Sequence, residues 1–200
     1  MNEIVYEISS KHNHHIKLTK SLANRKFREK EGLFVLEGVR LIEEAVQAGV
    51  SVRHVLYCRK ITNSLRGSRL LEKFGELGVP RFLVDESLFG ELADTENPQG
   101  ILAVAETVQS GFSDLLITPD SLLLLIDGVQ DPGNLGTMIR TACAAGASGV
   151  ILTKGTVDLF NPKVIRASMG TVFQIPIIIK EGNERILEFL KSNGFRILVA

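Results

Sequence analysis

The sequence has little cysteine and no long apolar run, and each shortage excludes a class of protein. Its two cysteines, Cys58 and Cys143, have no spacing that suits a metal, so we predict a reducing cytoplasm and no disulfide framework. The first ten residues carry early acids and no apolar core of the kind that a secretory signal peptide has. Because no apolar run approaches the ~20 residues that a membrane-spanning helix needs, we expect a cytoplasmic protein with no membrane partner.

The sequence also lacks an excess of charge of either sign. Its 23 basic residues balance 23 acidic residues, which argues against a uniformly basic nucleic-acid binder. Between Lys11 and Lys30, however, seven basic residues accompany one acid, so the local charge is +6. Such a cluster can attract a polyanion while the whole protein stays neutral, although a solvated helix face is the alternative. The candidate contacts are Lys20, Arg25, Lys26 and Arg28.

The same stretch contains three histidines that could in principle ligate a metal. His12, His14 and His15 lie close together in the sequence. A histidine-rich segment near the start of a chain is more typically solvated, and no other cluster has ligand spacing. We therefore predict no metal site.

Helix and strand signals alternate along the first half, which favours a layered α/β domain. The predicted helices there are 16–30, 39–48, 69–77 and 86–93, and the predicted strands are 33–36, 52–57, 81–84 and 101–105. Polar residues, glycine and proline then interrupt the pattern, so we expect domains at 1–106 and 120–200 with a linker at 107–119. In the second domain, we predict strands at 122–126, 149–152, 172–177 and 196–199, and helices at 135–145, near 162–168 and at 183–192.

Residues 122–153 are the most informative segment. The apolar run 122–126 predicts a strand that is buried on both faces, Asn134 is placed to cap the following helix, and Gly146 can end that helix in a left-handed conformation. The resulting β-loop-α-β unit predicts two parallel strands. Because ligands bind beyond the carboxyl ends of such strands, Asn134 and Arg140 stand over a probable site. The segment contains neither a P-loop nor the dinucleotide fingerprint, which disfavours other nucleotide-binding α/β enzymes.

Each polar residue near this site also has a purely structural explanation. Arg140 follows Gly136 by one helical turn and can reach back over the loop, where the missing side chain of Gly136 leaves room for a ligand, but an arginine can equally form an ion pair. Capping alone accounts for Asn134. Asp127 and Asp131 could act as catalytic carboxylates, although such residues usually shape turns.

Three spaced motifs resemble a known family in the right order. Asn134, Gly136, Arg140, Thr141 and Gly146 match N-x-G-x-x-x-R-T with a later glycine; the segment 161–177 contains R-A-S-M-G; and 97–106 reads NPQGILAVAE. Together they resemble the SPOUT-superfamily RNA ribose methyltransferases of the TrmH/SpoU type, from about residue 15 onward.

The resemblance implies an activity, a fold and partners. The implied reaction is S-adenosylmethionine-dependent methylation of a ribose 2′-hydroxyl in ribosomal or transfer RNA, by a homodimer when the protein is complete. The implied fold is a small ribosomal-protein-like α/β RNA-binding domain followed by a parallel-sheet, trefoil-knot domain. Asn134 and Arg140 become the catalytic candidates, and Arg166 and Ser168 join the basic cluster as RNA contacts. Arg140 is a candidate base, but an arginine that stays protonated is better suited to hold phosphate and stabilise an oxyanion.

The sequence departs from the family at its end. The G-x-E-G-x-G loop and the S-L-N segment, which complete the knot and form most of the cofactor pocket, are not in the printed sequence. We therefore expect an incomplete catalytic domain and a chain that is inactive by itself, with no assignable cofactor-binding residue. The alternative hypothesis is a non-catalytic RNA-binding module.

Overall fold

The computed structural model describes residues 6–179 and 181–199. They form two compact units, one up to Thr107 and the other from Val108 onward. No helix in the described part is long and apolar enough to cross a membrane.

The first unit is built on a mixed five-stranded sheet. Its strands are β1 (Tyr6–Ile8), β2 (Leu33–Glu37), β3 (Val52–Tyr57), β4 (Arg81–Val84) and β5 (Ile101–Glu106). They lie in the order β1-β4-β3-β5-β2, in which β4 runs parallel to β1 and β3, and β5 runs antiparallel to β2 and β3. The helices are α1 (His14–Ser21), α2 (Arg25–Glu31), α3 (Val39–Gln47), α4 (Leu65–Glu76) and α5 (Glu86–Gly90). The alternation predicted from the sequence is confirmed.

The core of this unit holds α1 and α5 on one face of the sheet. Leu56 of β3, Val84 of β4 and Leu102 of β5 pack with Ile16 of α1 and Phe89 of α5, and all five are buried. Burial of these side chains is the main force that fixes α1 on the sheet.

The predicted single helix 16–30 is wrong, because the chain turns between α1 and α2. Asn24 caps α2 by accepting a hydrogen bond from the backbone N–H of Lys26 at 2.9 Å. Arg28 is 4% exposed, and its Nη1 donates to the carbonyls of Leu22 at 2.7 Å and Ala23 at 2.8 Å. This guanidinium therefore satisfies carbonyl groups that the end of α1 leaves unpaired.

The second unit contains a three-stranded parallel sheet, as predicted for its first two strands. The strands β6 (Leu123–Ile126), β7 (Gly149–Leu152) and β8 (Ile177–Ile178) lie in that order. The helices are α6 (Pro132–Ala144), α7 (Pro162–Ala167) and α8 (Asn183–Ser192). Gly146 follows α6 with a φ of 71°, the left-handed conformation expected of it.

Two predicted strands of this unit are wrong. The range 172–177 contains a 3-10 turn at Thr171–Phe173, and only its last residue belongs to β8. The carbonyl of Pro176 accepts a hydrogen bond from the backbone N–H of Val150. Because proline has no N–H to donate, the pairing of β8 with β7 begins only at Ile177. Residues 196–199 have no regular structure.

Burial in this sheet is uneven. All of β7 is buried, whereas Leu123, Leu124 and Leu125 of β6 are partly exposed. The prediction that this run is buried on both faces is therefore wrong, because β6 is an edge strand with no neighbour on its outer side among the described residues. Helix α8 covers part of one face through Ile186 and Leu190.

The segment predicted as a linker is partly ordered. It contains a 3-10 turn at Phe112–Asp114, and Leu115 is 6% exposed in the core of the second unit.

Candidate functional site

The loops that follow β6 and β7 are tied together at the carboxyl edge of the parallel sheet. Thr153 Oγ1 donates to Asp127 Oδ1 at 2.5 Å and accepts from the backbone N–H of Gly128 at 3.3 Å. Thr153 is 7% exposed. Sequence reasoning missed this threonine, although Ile126 pairs with Leu152, and that register places the next residues, Asp127 and Thr153, side by side.

Helix α6 begins earlier than the sequence suggested. Asp131 is its cap, with Oδ1 accepting from the backbone N–H of Asn134 at 2.7 Å, and Pro132 takes the first helical position, which suits a residue without an N–H. The prediction that Asn134 caps the helix is therefore wrong. Asn134 lies in the first turn with an exposed side chain, and its carboxamide has no hydrogen bond within the described residues.

Gly136 is where α6 crosses α7. A Cβ at this position would lie 2.5 Å from the Cβ of Ala167 and 2.8 Å from the carbonyl oxygen of Val164. The space that we expected for a ligand is thus occupied by α7, and the glycine allows the two helices to approach closely.

Arg140 lies one turn after Gly136 on α6, about 40° around the helix from the glycine that meets α7. Its side chain is exposed and makes no hydrogen bond or ion pair with any residue that the structure describes. At about 100° per residue, six residues separate Arg140 from Asn134 by roughly 120° around the helix. The two catalytic candidates therefore share a helix but not a face.

The candidates on α7 have different environments. Arg166 is partly buried and already has an interaction partner. Ser168 is fully buried, and its hydroxyl donates to the carbonyl of Ile165 at 2.8 Å. The geometry of Ser168 suits a helix end better than an RNA contact.

The basic cluster of the first unit is exposed except for Arg28. The ion pairs of Lys20 and Arg25 are long and solvated: Lys20 Nζ lies 3.4 Å from Glu91 Oε2, and Arg25 Nε lies 3.3 Å from Glu29 Oε1. Lys26 is also exposed. Such pairs contribute little to stability, so Lys20 and Arg25 can exchange their carboxylate partners for phosphate.

An apolar groove of about 660 Å³ runs along β6. Residues of β6, of helix α8 and of the segment 195–199 form most of its wall, and most of them are apolar. Asp127, Thr153, Asn183 and Arg196 are among its polar members. Within the described residues, no group of three or more His, Cys, Asp or Glu side chains is arranged to hold a metal.

Comparisons with known proteins match both units. Residues 13–103 match the MRM3-like substrate binding domain, and residues 121–200 match the SpoU rRNA Methylase family. The chain is 36% identical over 191 residues to the 23S rRNA (guanosine(2553)-2'-O)-methyltransferase RlmP of Bacillus subtilis, and the match covers 96% of this chain and 71% of that protein. This chain belongs to the SpoU rRNA methylase family.

Other members extend the comparison. The human mitochondrial rRNA methyltransferase 3 is 38% identical over 187 residues, which cover 88% of this chain and 42% of that protein. The AdoMet-bound rRNA methyltransferase from Sinorhizobium meliloti has a TM-score of 0.83 and 31% identity, over 94% of this chain and 69% of that one. The predicted family, α/β fold class, S-adenosylmethionine cofactor and RNA ribose 2′-O-methyltransferase class are confirmed, and the non-catalytic module is not favoured.

The described residues do not by themselves fit S-adenosylmethionine. Its sulfonium, amino and carboxylate groups need polar partners when they leave water, but the groove along β6 is mainly aliphatic. Two of its polar groups, Asp127 and Thr153, already bond to each other. Within the described residues, the groove along β6 therefore offers few polar partners for the cofactor.

Proposed function

We propose that the chain acts on ribosomal RNA, with the first unit holding the RNA and α6 presenting Arg140 to the phosphate beside the ribose that is methylated. The observation that carries this proposal is the exposed guanidinium of Arg140, which has no partner among the described residues. An arginine fork of this kind matches the geometry of a phosphate.

The chemistry of Arg140 follows from its charge. Bound S-adenosylmethionine would supply the methyl group, and the ribose 2′-hydroxyl that receives the methyl group would release its proton to water. Arginine stays protonated in proteins, so Arg140 holds the neighbouring phosphate and stabilises negative charge on the 2′ oxygen. Asn134, with a free carboxamide in the first turn of α6, orients the ribose or phosphate from the loop end of the helix.

RNA binding is assigned to exposed cations of the first unit. Within the part of the chain that the structure describes, Lys20 and Arg25 have long, solvated carboxylate partners and Lys26 has none. All three would contact phosphates, which position RNA without reading its sequence. Arg166 is a further candidate on α7. Arg28 and Ser168 are left out, because both side chains are buried and bonded to backbone carbonyls.

We also propose a homodimer that works in a reducing cytoplasm. Leu122, Met138 and Leu187 are large apolar side chains that the second unit leaves exposed, and a second copy would cover them. Both cysteines are free thiols, which suits a reducing compartment. Sedimentation equilibrium would measure the association, and a monomer at all concentrations would contradict it.

Single-turnover methylation with saturating RNA and cofactor tests the catalytic assignment. The enzyme for this test is a chimaera that joins this chain to the part of the Bacillus subtilis relative that lies outside the match. Arg140→Ala should lower the rate by about 10²–10³, the usual loss when one electrostatic donor is removed from an active site. Arg140→Lys should restore little, because an ammonium cannot reproduce the guanidinium fork.

Arg185→Ala is the matched control. Arg185 is an exposed arginine of the same unit that already pairs with Glu181 at 3.1 Å, so its loss should leave the rate unchanged. If Arg140→Ala keeps more than about a tenth of the rate, less than ~1.4 kcal/mol of barrier depends on it, and Arg140 is a structural residue.

A further inference from the structure

Two imidazole rings meet at the interface between α1 and the sheet of the first unit. His54 of β3 is 4% exposed, and its ring centroid lies 4.6 Å from that of His15 on α1. The ring of His15 also packs on Phe82 of β4, with centroids 4.1 Å apart. The first turn of α1 therefore rests on the sheet through a histidine pair and a phenylalanine.

Neither ring has a full set of hydrogen bonds. Nδ1 of His15 and Nε2 of His54 are buried and have no hydrogen-bond partner within the described residues. A neutral imidazole nitrogen can stay without a hydrogen bond at modest cost in free energy, but a protonated ring would bury a charged N–H without an acceptor.

The charged groups that act on these rings are all basic. Burial first, and then His15, His14 and Arg53, lower the pKa of His54 to about 4. Burial and His14 also lower the pKa of His15. The two sheet neighbours that pack or pair with His54 are apolar: Phe82 lies on β4, and Val104 faces His54 in the register of β5. Tyr6 of β1, a further titratable ring, lies 6.0 Å from Phe82.

We propose that α1 is a pH-sensitive element, which stays on the sheet while His15 and His54 are neutral and is released when they take up protons. Because α1 carries Lys20, release would also dismantle part of the RNA-binding surface, a consequence that rests on the proposed function. Ile16, which is 2% exposed, holds α1 in place at neutral pH, and protonation of the two rings opposes that contribution.

The direction and size of the effect follow from proton linkage. The released state binds a proton with the ordinary histidine pKa of 6.5, and the docked state binds it at about 4. The stabilisation of docked α1 is therefore complete above pH 6.5 and is lost progressively as the pH falls toward 4. For His54 alone, the ratio of released to docked α1 should rise about 30-fold between pH 7.5 and pH 5.0.

Amide hydrogen exchange of the 200-residue chain tests the proposal. After correction for intrinsic rates, protection of α1 should fall about 30-fold from pH 7.5 to pH 5.0, while that of β5 changes much less. His54→Leu should remove the part of the dependence that His54 contributes, and His12→Gln, at an exposed histidine, should preserve the wild-type dependence. Should His54→Leu fail to fold, an NMR titration of the wild-type imidazoles replaces it. Unchanged protection of α1, or a His54 that titrates near 6.5, would overturn the proposal.

Measurements of RNA affinity distinguish a failure of the pH-sensitive element α1 from a failure of the proposed function. Release of α1 should weaken binding to a single-stranded RNA at low pH, because α1 carries Lys20. Loss of both protection and affinity at pH 5.0 supports both proposals. If protection falls while affinity rises, the pH-sensitive element stands and the RNA-binding role of α1 is wrong.

Discussion

Replacing Arg28 with alanine distinguishes a structural arginine from an RNA-binding one. The resemblance to RNA methyltransferases and the local charge suggested a phosphate contact, but the guanidinium is buried and bonded to the carbonyls of Leu22 and Ala23. Arg28→Ala should therefore lower the stability of the first unit, and RNA affinity should fall only as far as the folded fraction falls.

The size of the loss can be worked from these two bonds. A hydrogen bond from a charged donor contributes about 1.5–3 kcal/mol. Leu22 is buried, so its carbonyl would lose its partner, whereas water can reach the exposed Ala23. We expect the free energy of unfolding to fall by about 2–4 kcal/mol, because water can replace the guanidinium at the carbonyl of Ala23 but not at the carbonyl of Leu22. For a unit of this size, that corresponds to a melting temperature lower by about 10–25 °C.

Thermal unfolding followed by circular dichroism measures the loss, with hydrogen exchange of β2 to locate it in the first unit. The matched control is Arg25→Ala on the same helix. Arg25 is exposed and its pair with Glu29 is solvated, so this variant should melt like the wild type and bind RNA more weakly. The reasoning is refuted if Arg28→Ala melts with the wild type and loses as much RNA affinity as Arg25→Ala.

Two further predictions concern the basic cluster and the helix crossing. Replacing Arg25 and Lys26 with alanine should flatten the salt dependence of RNA binding by up to ~0.7 per lost single-strand phosphate contact; an unchanged slope in a salt titration would leave the cluster a solvated face. Gly136→Ala should destabilise the second unit by about 1–3 kcal/mol, because the new Cβ would lie 2.5 Å from that of Ala167. Urea unfolding checks this against Thr137→Ala at an exposed position of α6, and equal stability of the two variants would contradict close packing.

The elements predicted best are those with strong local signals. The bounds of β7, 149–152, and of α8, 183–192, agree with the prediction, because glycine punctuates both ends of a continuous apolar run or an amphipathic repeat. Strand β3 likewise matches at 52–57. These signals lie within the element itself, so sequence suffices.

Contacts between elements account for what sequence reasoning missed. The sequence around Arg28 does not distinguish it from Arg25. The turn between α1 and α2 places Arg28 against the end of α1 and leaves Arg25 in solvent. Thr153 becomes part of the site only through the register of β6 and β7. The role of Gly136 depends on α7, which arrives more than twenty residues later. Family resemblance pointed to Arg140, but its position beside that helix crossing needed the structure.

The open outer side of β6 has a consequence for handling this chain in solution. A leucine-rich edge strand with Leu122 exposed beside it is a template on which a foreign strand can grow. At high concentration, or during refolding from denaturant, copies that meet through this edge will compete with correct folding.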